Sequence, residues 1–150
     1  REAAAVFQDF LDGGQGWVEN NLEACRNLYR TRLRLNEPEK AFAALTRALR
    51  FGPPRAELCC DLGGFFFERN DFKPAAFWYT RALEAVPAET DGGFREPDCW
   101  GYLPLIQLCV CWYRLGDTAK AVACNERAAE LKPESKACAH NRAFFAAHPA

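Results

Sequence analysis

Arg26, Arg30 and Arg34 recur at a spacing of four. On a helix this places three guanidiniums along one face. Such a face could hold an acidic peptide or a phosphate, and it also suits a simple solvated charged surface. A second polar group, Arg95, Glu96, Asp98 and Trp100, follows a Gly-Gly step and surrounds Pro97. It offers charge beside an aromatic surface, or else a connector in which Asp98 caps the next helix and Trp100 packs inward. Eight cysteines would suggest a disulfide framework in a short secreted chain. Here Cys59, Cys60, Cys109, Cys111 and Cys124 fall inside helical patterns, so buried thiols in a reducing cytoplasm are expected instead. There is no CxxC pair, and His140 and His148 stand near the C-terminal end, on the surface, so no metal site is expected. No nucleophile, base and orienting group can be assembled, so no catalytic residue and no cofactor are expected.

The elements that position these groups are helical. The chain has 150 residues, 49% of them hydrophobic, enough for one domain with a sizeable core. Alanine is abundant, at 25 residues, and β-branched residues are few, which favours helix. Nineteen basic and 20 acidic side chains leave a net charge of −1. That balance argues against a nucleic-acid partner, which would call for a basic excess. No apolar run is long enough to span a membrane, and the first residues show no signal-peptide pattern. The chain contains no methionine, so Arg1 is expected to lie inside a longer protein.

Ala3, Val6, Phe7, Phe10 and Leu11 form one face of a helix over Glu2 to Asp12, stopped by Gly13-Gly14. A second helix is expected from about Gln15 to Leu35. Asn36-Glu37-Pro38 makes a turn, and a third helix reaches Arg50 before Gly52-Pro53-Pro54. Ala56 to Pro87 then reads as a complete helix–turn–helix unit. Leu62-Gly63, Phe66, Ala75, Tyr79, Ala82 and Pro87 match the frame L-G-x2-Y…A-x3-F…P of the tetratricopeptide repeat, with Cys59 where that pattern prefers Trp. In this frame Gly63 lets the second helix approach closely, Ala75 and Ala82 keep the seam thin, and Pro87 stops the helix. Gly64 has no such packing reason.

The 34-residue step from Pro53 to Pro87 places Ala41, Leu45 and Ala48 at the same offsets in a preceding, degenerate repeat with Tyr29 at the glycine position. From Pro87 to Pro133 the step is 46, which leaves 12 inserted residues within 88–101. Beyond them Ala121, Ala128 and Pro133 complete a third repeat, with Cys109 at the glycine position, Trp112 at the aromatic one and Gly116-Asp117 as the turn. A last helix from Ser135 or Lys136 to about Ala147 is expected to cap the stack. The expected fold is therefore all-α, a single α-solenoid domain over 1–150. Its repeats cover about 22–53, 56–87 and 102–133, with an insert at 88–101, a capping helix at 135–147 and about eight helices in all.

The tetratricopeptide resemblance implies a concave groove lined by the first helix of each repeat. Its positions here are Glu23, Arg26, Arg30, Leu33 and Arg34; Glu57, Cys60, Gly64, Phe67 and Glu68; and Leu103, Ile106, Val110, Tyr113 and Arg114. Phe67, Ile106, Val110 and Tyr113 make it unusually apolar, as a partner surface would be. Repeat domains that clamp the carboxylate tails of heat-shock chaperones carry Lys or Asn where Gly64, Ile106 and Val110 stand, so that activity is not expected. Glu96-Pro97-Asp98-Cys99-Trp100-Gly101-Tyr102, Pro104, Gln107-Leu108-Cys109-Val110-Cys111, Arg114-Leu115-Gly116-Asp117 and Lys120-Ala121 further resemble the C-terminal repeat region of certain bacterial family 2 glycosyltransferases. The likeness covers roughly 56–133. It implies an accessory arm that oligomerises or engages an acceptor, with sugar-transfer chemistry upstream, since this chain carries no Asp-x-Asp motif and no strand–helix alternation. The expected partner is a protein or peptide segment, or a second copy. The alternative is a stand-alone adaptor unrelated to sugar transfer.

Overall fold

A computed structural model describes residues 1–14, 16–86 and 95–149. They form eight α-helices: α1 (Glu2–Asp12), α2 (Val18–Arg34), α3 (Pro38–Ala48), α4 (Ala56–Glu68), α5 (Phe72–Glu84), α6 (Tyr102–Arg114), α7 (Thr118–Leu131) and α8 (Lys136–Ala147). Short 3-10 turns cover Leu49–Phe51 and Pro97–Trp100. There is no strand among the described residues, so the chain is all-α there. Pro87 and the insert positions up to 94 lie outside the described residues.

The helices follow the sequence periods closely, and the departures have local causes. α2 starts at Val18 rather than Gln15. Trp17 is extended at the cap position, and the Asn21 amide donates to the Gly16 carbonyl at 2.7 Å. A Cβ on Gly16 would come within 2.6 Å of the tip of the Phe10 ring and of the Asn21 side chain, so a larger residue there would have to push these side chains aside. α3 ends at Ala48, where the last turn tightens into 3-10 ahead of Gly52 at φ 136°. Pro38 opens α3, and Pro74 and Pro104 stand third in α5 and α6, where a missing N–H leaves no helical bond unmade.

Three helix pairs close with one turn geometry. Asn36, Asn70 and Gly116 each take positive φ (58°, 58° and 90°) after α2, α4 and α6. The next N–H bonds back five residues in each case, Glu37 to the Arg32 carbonyl, Asp71 to Phe66 and Asp117 to Trp112, at 2.8–2.9 Å. The positive-φ residues bond in turn to Leu33, Phe67 and Tyr113 at 3.0 Å. This is the Schellman arrangement, which satisfies the last carbonyls of a helix and reverses the chain. Asp117 then caps α7 by accepting from the Lys120 N–H at 3.0 Å, and Ser135 caps α8 by accepting from Cys138 N–H at 3.2 Å.

The chain divides into two compact units, the first over Arg1–Pro54 and the second over Arg55–Val86 with the described residues from Arg95 on. In the first, α1 packs on α2 and α2 on α3. Its core is small: Leu11, Cys25, Leu28, Tyr29, Leu45 and several alanines, with Glu19, Asn21 and Arg26 buried among them. The Asp12–Arg47 ion pair, at 2.8 Å, ties α1 to α3. In the second, α4 pairs with α5, α5 with α6, α6 with α7 and α7 with α8. One continuous core joins Phe72, Tyr79, Leu105, Leu108 and seven thiols: Cys59, Cys60, Cys99, Cys109, Cys111, Cys124 and Cys138. A Cβ on Gly63 would sit 2.9 Å from the Tyr79 ring, so the close approach expected of Gly63 is what the structure has. A Cβ on Gly64 would meet only the Tyr79 hydroxyl, at an ordinary 3.5 Å.

Candidate functional site

In the first unit, α2 carries Arg26, Arg30 and Arg34 at helical spacing, but they do not form a uniform cationic face. Arg26 is only 6% exposed and lies 3.8 Å from the Glu23 carboxylate. Arg30 lies 3.7 Å from the same carboxylate and 3.4 Å from the Asn27 side chain. Arg34, at the last turn of α2, is exposed. Glu23 therefore neutralises much of the charge the spacing suggested.

In the second unit, the apolar candidates have definite ring partners. Phe67 meets Phe72 and Tyr79 edge to face, at 5.7 and 6.5 Å between centroids. Arg114 stacks over Phe72 at 4.8 Å. Ile106 and Val110 are half-buried against the core. Tyr113 is 36% exposed, and Phe144 and Phe145 of α8 stand against it at 5.2 and 6.0 Å. Val110, Tyr113, His140 and Phe144 line a small hollow of about 180 Å³ between α6 and α8. The structure thus brings Val110 and Tyr113 together with a helix that the sequence offered only as a cap.

The end of the insert is built inward, on a residue the repeat frame put in the groove. Glu57 is 4% exposed, and its Oε1 accepts from the Glu96 N–H at 2.9 Å and from the Trp100 indole N–H at 2.8 Å. A buried carboxylate needs such donors. Cys60, also given to the groove by the frame, is buried and donates to the Cys99 carbonyl at 3.5 Å. Trp100 is half-buried, with the Arg95 guanidinium 6.0 Å from its ring. Asp98 does not cap α6. It lies within the 3-10 turn, Gly101 takes the cap position, and the Asp98 carboxylate accepts from Lys132 at 2.7 Å instead. That bond holds the Lys132 ammonium above the usual lysine range. Lys132 also covers the Tyr102 ring at 4.4 Å, and Tyr102 shares a hydrogen bond with Ser135 at 2.7 Å.

Two residues that matter here were not singled out by the sequence. Asn125 is fully buried in α7; its amide donates to the Cys138 carbonyl at 3.1 Å and accepts from Asn141 at 3.0 Å. Asn141 reaches the Cys109 sulfur as well, at 3.8 Å. These bonds fix α8 and so set the position of Phe144 and Phe145. The signal was available: Asn125 falls at the same repeat offset as Leu45 and Tyr79, where a polar residue needs a buried partner.

Burial pushes the thiols of Cys25, Cys59 and Cys109 up to about 11 and that of Cys111 up to about 12. The neighbouring Cys99 and then burial raise Cys60, and burial raises Cys124. A thiol held neutral in this way is a poor nucleophile. All eight cysteines are unpaired. Among the described residues no group of three or more His, Cys, Asp or Glu is placed to hold a metal, and no helix is long and apolar enough to cross a membrane. No protein-family model matches the chain, and no curated protein matches it.

Proposed function

We propose that the chain is a tetratricopeptide-type repeat module without chemistry of its own, the C-terminal accessory arm of a bacterial family 2 glycosyltransferase working in the cytoplasm. In this reading Ile106, Val110, Tyr113 and Arg114 bind a protein or peptide segment, or a second copy. One observation carries the repeat reading. Ala41, Ala75 and Ala121, and again Ala48, Ala82 and Ala128, are all at most 1% exposed at matching offsets in α3, α5 and α7. The three positive-φ turns at Asn36, Asn70 and Gly116 recur in the same phase. Successive hairpins of one geometry are what a repeat array requires.

The glycosyltransferase part rests on the resemblance of 56–133. The buried side chains of that stretch give its unusual residues a purpose: Glu57 engages Trp100, and Asn125 engages α8. Eight buried, unpaired cysteines suit a reducing compartment. The test is the coding sequence upstream of Arg1. An α/β domain with an Asp-x-Asp motif is expected there. A different domain, or further repeats alone, would overturn the assignment and leave a stand-alone adaptor.

A further inference from the structure

A second surface lies in the second unit, away from the groove residues. A cleft of about 620 Å³ opens between α5 and the corner joining α6 to α7. Phe77 of α5 and Trp112 and Leu115 of α6 supply its apolar walls, with Lys73 and Arg81 at its edge. Trp112 is one residue from Tyr113, so it sits about 100° round α6 from the groove stripe. The volume falls in the range of binding sites for small ligands and side-chain clusters.

Phe77 is 55% exposed, although it is a large ring on a well-formed helix. It is fixed at its edge by Trp78, at 5.2 Å, and approached by the Arg81 guanidinium at 5.8 Å. Trp112 is covered on its ring by Lys120 at 4.4 Å. An exposed ring held in place, beside a second ring and an arginine, is the composition of an interface anchor.

The charges of the cleft are unequally committed. Glu84 accepts from Arg81 at 2.6 Å. Asp117 caps α7 through the Lys120 N–H at 3.0 Å and lies 3.8 Å from the Lys120 ammonium. Both carboxylates are therefore engaged, Glu84 by Arg81 and Asp117 by Lys120. Lys73 is exposed, and one Glu84 oxygen leaves most of the five Arg81 N–H donors for another acceptor. The cleft thus offers apolar walls with spare cationic donors. A nucleic acid would need a longer row of cations than these few.

We propose that this cleft docks an acidic peptide segment that carries one bulky aromatic or aliphatic side chain. The side chain enters against Phe77, Trp112 and Leu115, and flanking carboxylates meet Lys73 and Arg81. This does not depend on the glycosyltransferase assignment or on the α6–α8 groove. The probe is the blocked peptide Glu-Glu-Trp-Glu-Glu, titrated into the ¹⁵N-labelled chain and followed by NMR. Shifts are expected along α5 between Lys73 and Glu84 and near Trp112 to Asp117. Phe77→Ala and Lys73→Glu should each weaken binding about tenfold, while Val110→Ala leaves it unchanged. Both altered residues are exposed, and circular dichroism verifies that the variants remain folded. No shifts at millimolar peptide would overturn the proposal. So would shifts confined to other residues, binding by both variants as tight as by the unaltered chain, or binding of Lys-Lys-Trp-Lys-Lys as tight as that of the acidic peptide.

Discussion

In the first unit the α2–α3 hairpin carries Tyr29 on its first helix and Leu45 on its second. At the same offsets in the second unit, α4–α5 carries Gly63 and Tyr79, and α6–α7 carries Cys109 and Asn125. All six are buried. The bulk that fills a hairpin can thus come from either helix, or be shared with a polar group that reaches a further helix. The units also differ in what surrounds these pairs. The first has one thiol, a core in which alanine makes up half of the buried hydrophobic residues, and three buried polar side chains. The second has seven thiols and a connected set of rings. Rings and thiols bury more apolar area per residue than alanine, so the second unit should be the stiffer of the two. It is also the unit that carries the hollow between α6 and α8 and the cleft beside α5, and a surface is best presented on a rigid element.

Alkali should separate the units most. The thiol pKa values of Cys59, Cys109 and Cys111 rise in the folded chain above an unfolded value of about 8.5. Their contribution is therefore complete below about pH 8.5 and is lost as pH rises toward 11–12. Each unit of pH in that window costs up to about 1.4 kcal/mol for every thiol held neutral. Urea midpoints at pH 7 and pH 10 should show a steep fall, with α4–α8 losing protection most. Equal midpoints would mean the thiols are not buried as described. Tyr79→Ala comes next, at about 3–5 kcal/mol by chemical denaturation, because Gly63 opposite it cannot fill the space. A loss under about 1 kcal/mol would place the ring at the surface.

Asn125→Ala should cost about 1–3 kcal/mol, since it leaves the Cys138 carbonyl and the Asn141 amide without their buried partner. It should also release α8, seen as faster amide exchange over 136–147. Unchanged exchange there would show that α8 is held by its rings alone. The smallest effects come from the double glycine. Gly64→Ala has room and should stabilise by up to about 1 kcal/mol through helix propensity. Gly63→Ala gains the same propensity but must displace the Tyr79 ring, so it should destabilise, typically by about 1–3 kcal/mol before that gain. Melting curves of the two variants settle the sign, and a stabilising Gly63→Ala would break the packing argument.

Most of the helical architecture was legible because the seam alanines, the turn residues and Gly63 obey short-range rules. α1 covers the residues its apolar spacing marked, and α8 covers those expected of a last helix. The site was less legible. Arg26, Arg30 and Arg34 share a face by arithmetic, but Glu23 one turn away takes up Arg26 and Arg30. Glu57 and Cys60 looked like groove residues, because nothing in their own helix shows that Glu96, Cys99 and Trp100, 39 or more residues on, fold back over them. Asp98 had the right type for a cap, but it falls in the 3-10 turn ahead of Gly101, and its carboxylate accepts from Lys132, 34 residues away. Contacts of long sequence separation decided the Glu57, Cys60 and Asp98 cases, and a local pattern carries no record of them; Glu23 lay within local reach of Arg26 and Arg30.

Native-state hydrogen exchange, read helix by helix, tests whether the second unit is the rigid scaffold that bears the interaction surfaces. Amides of α4–α7 should exchange last and together, by global opening, while those of α1–α3 exchange earlier through a separate, lower-energy opening. Protection that is equal in the two units, or greater in α1–α3, would contradict this account.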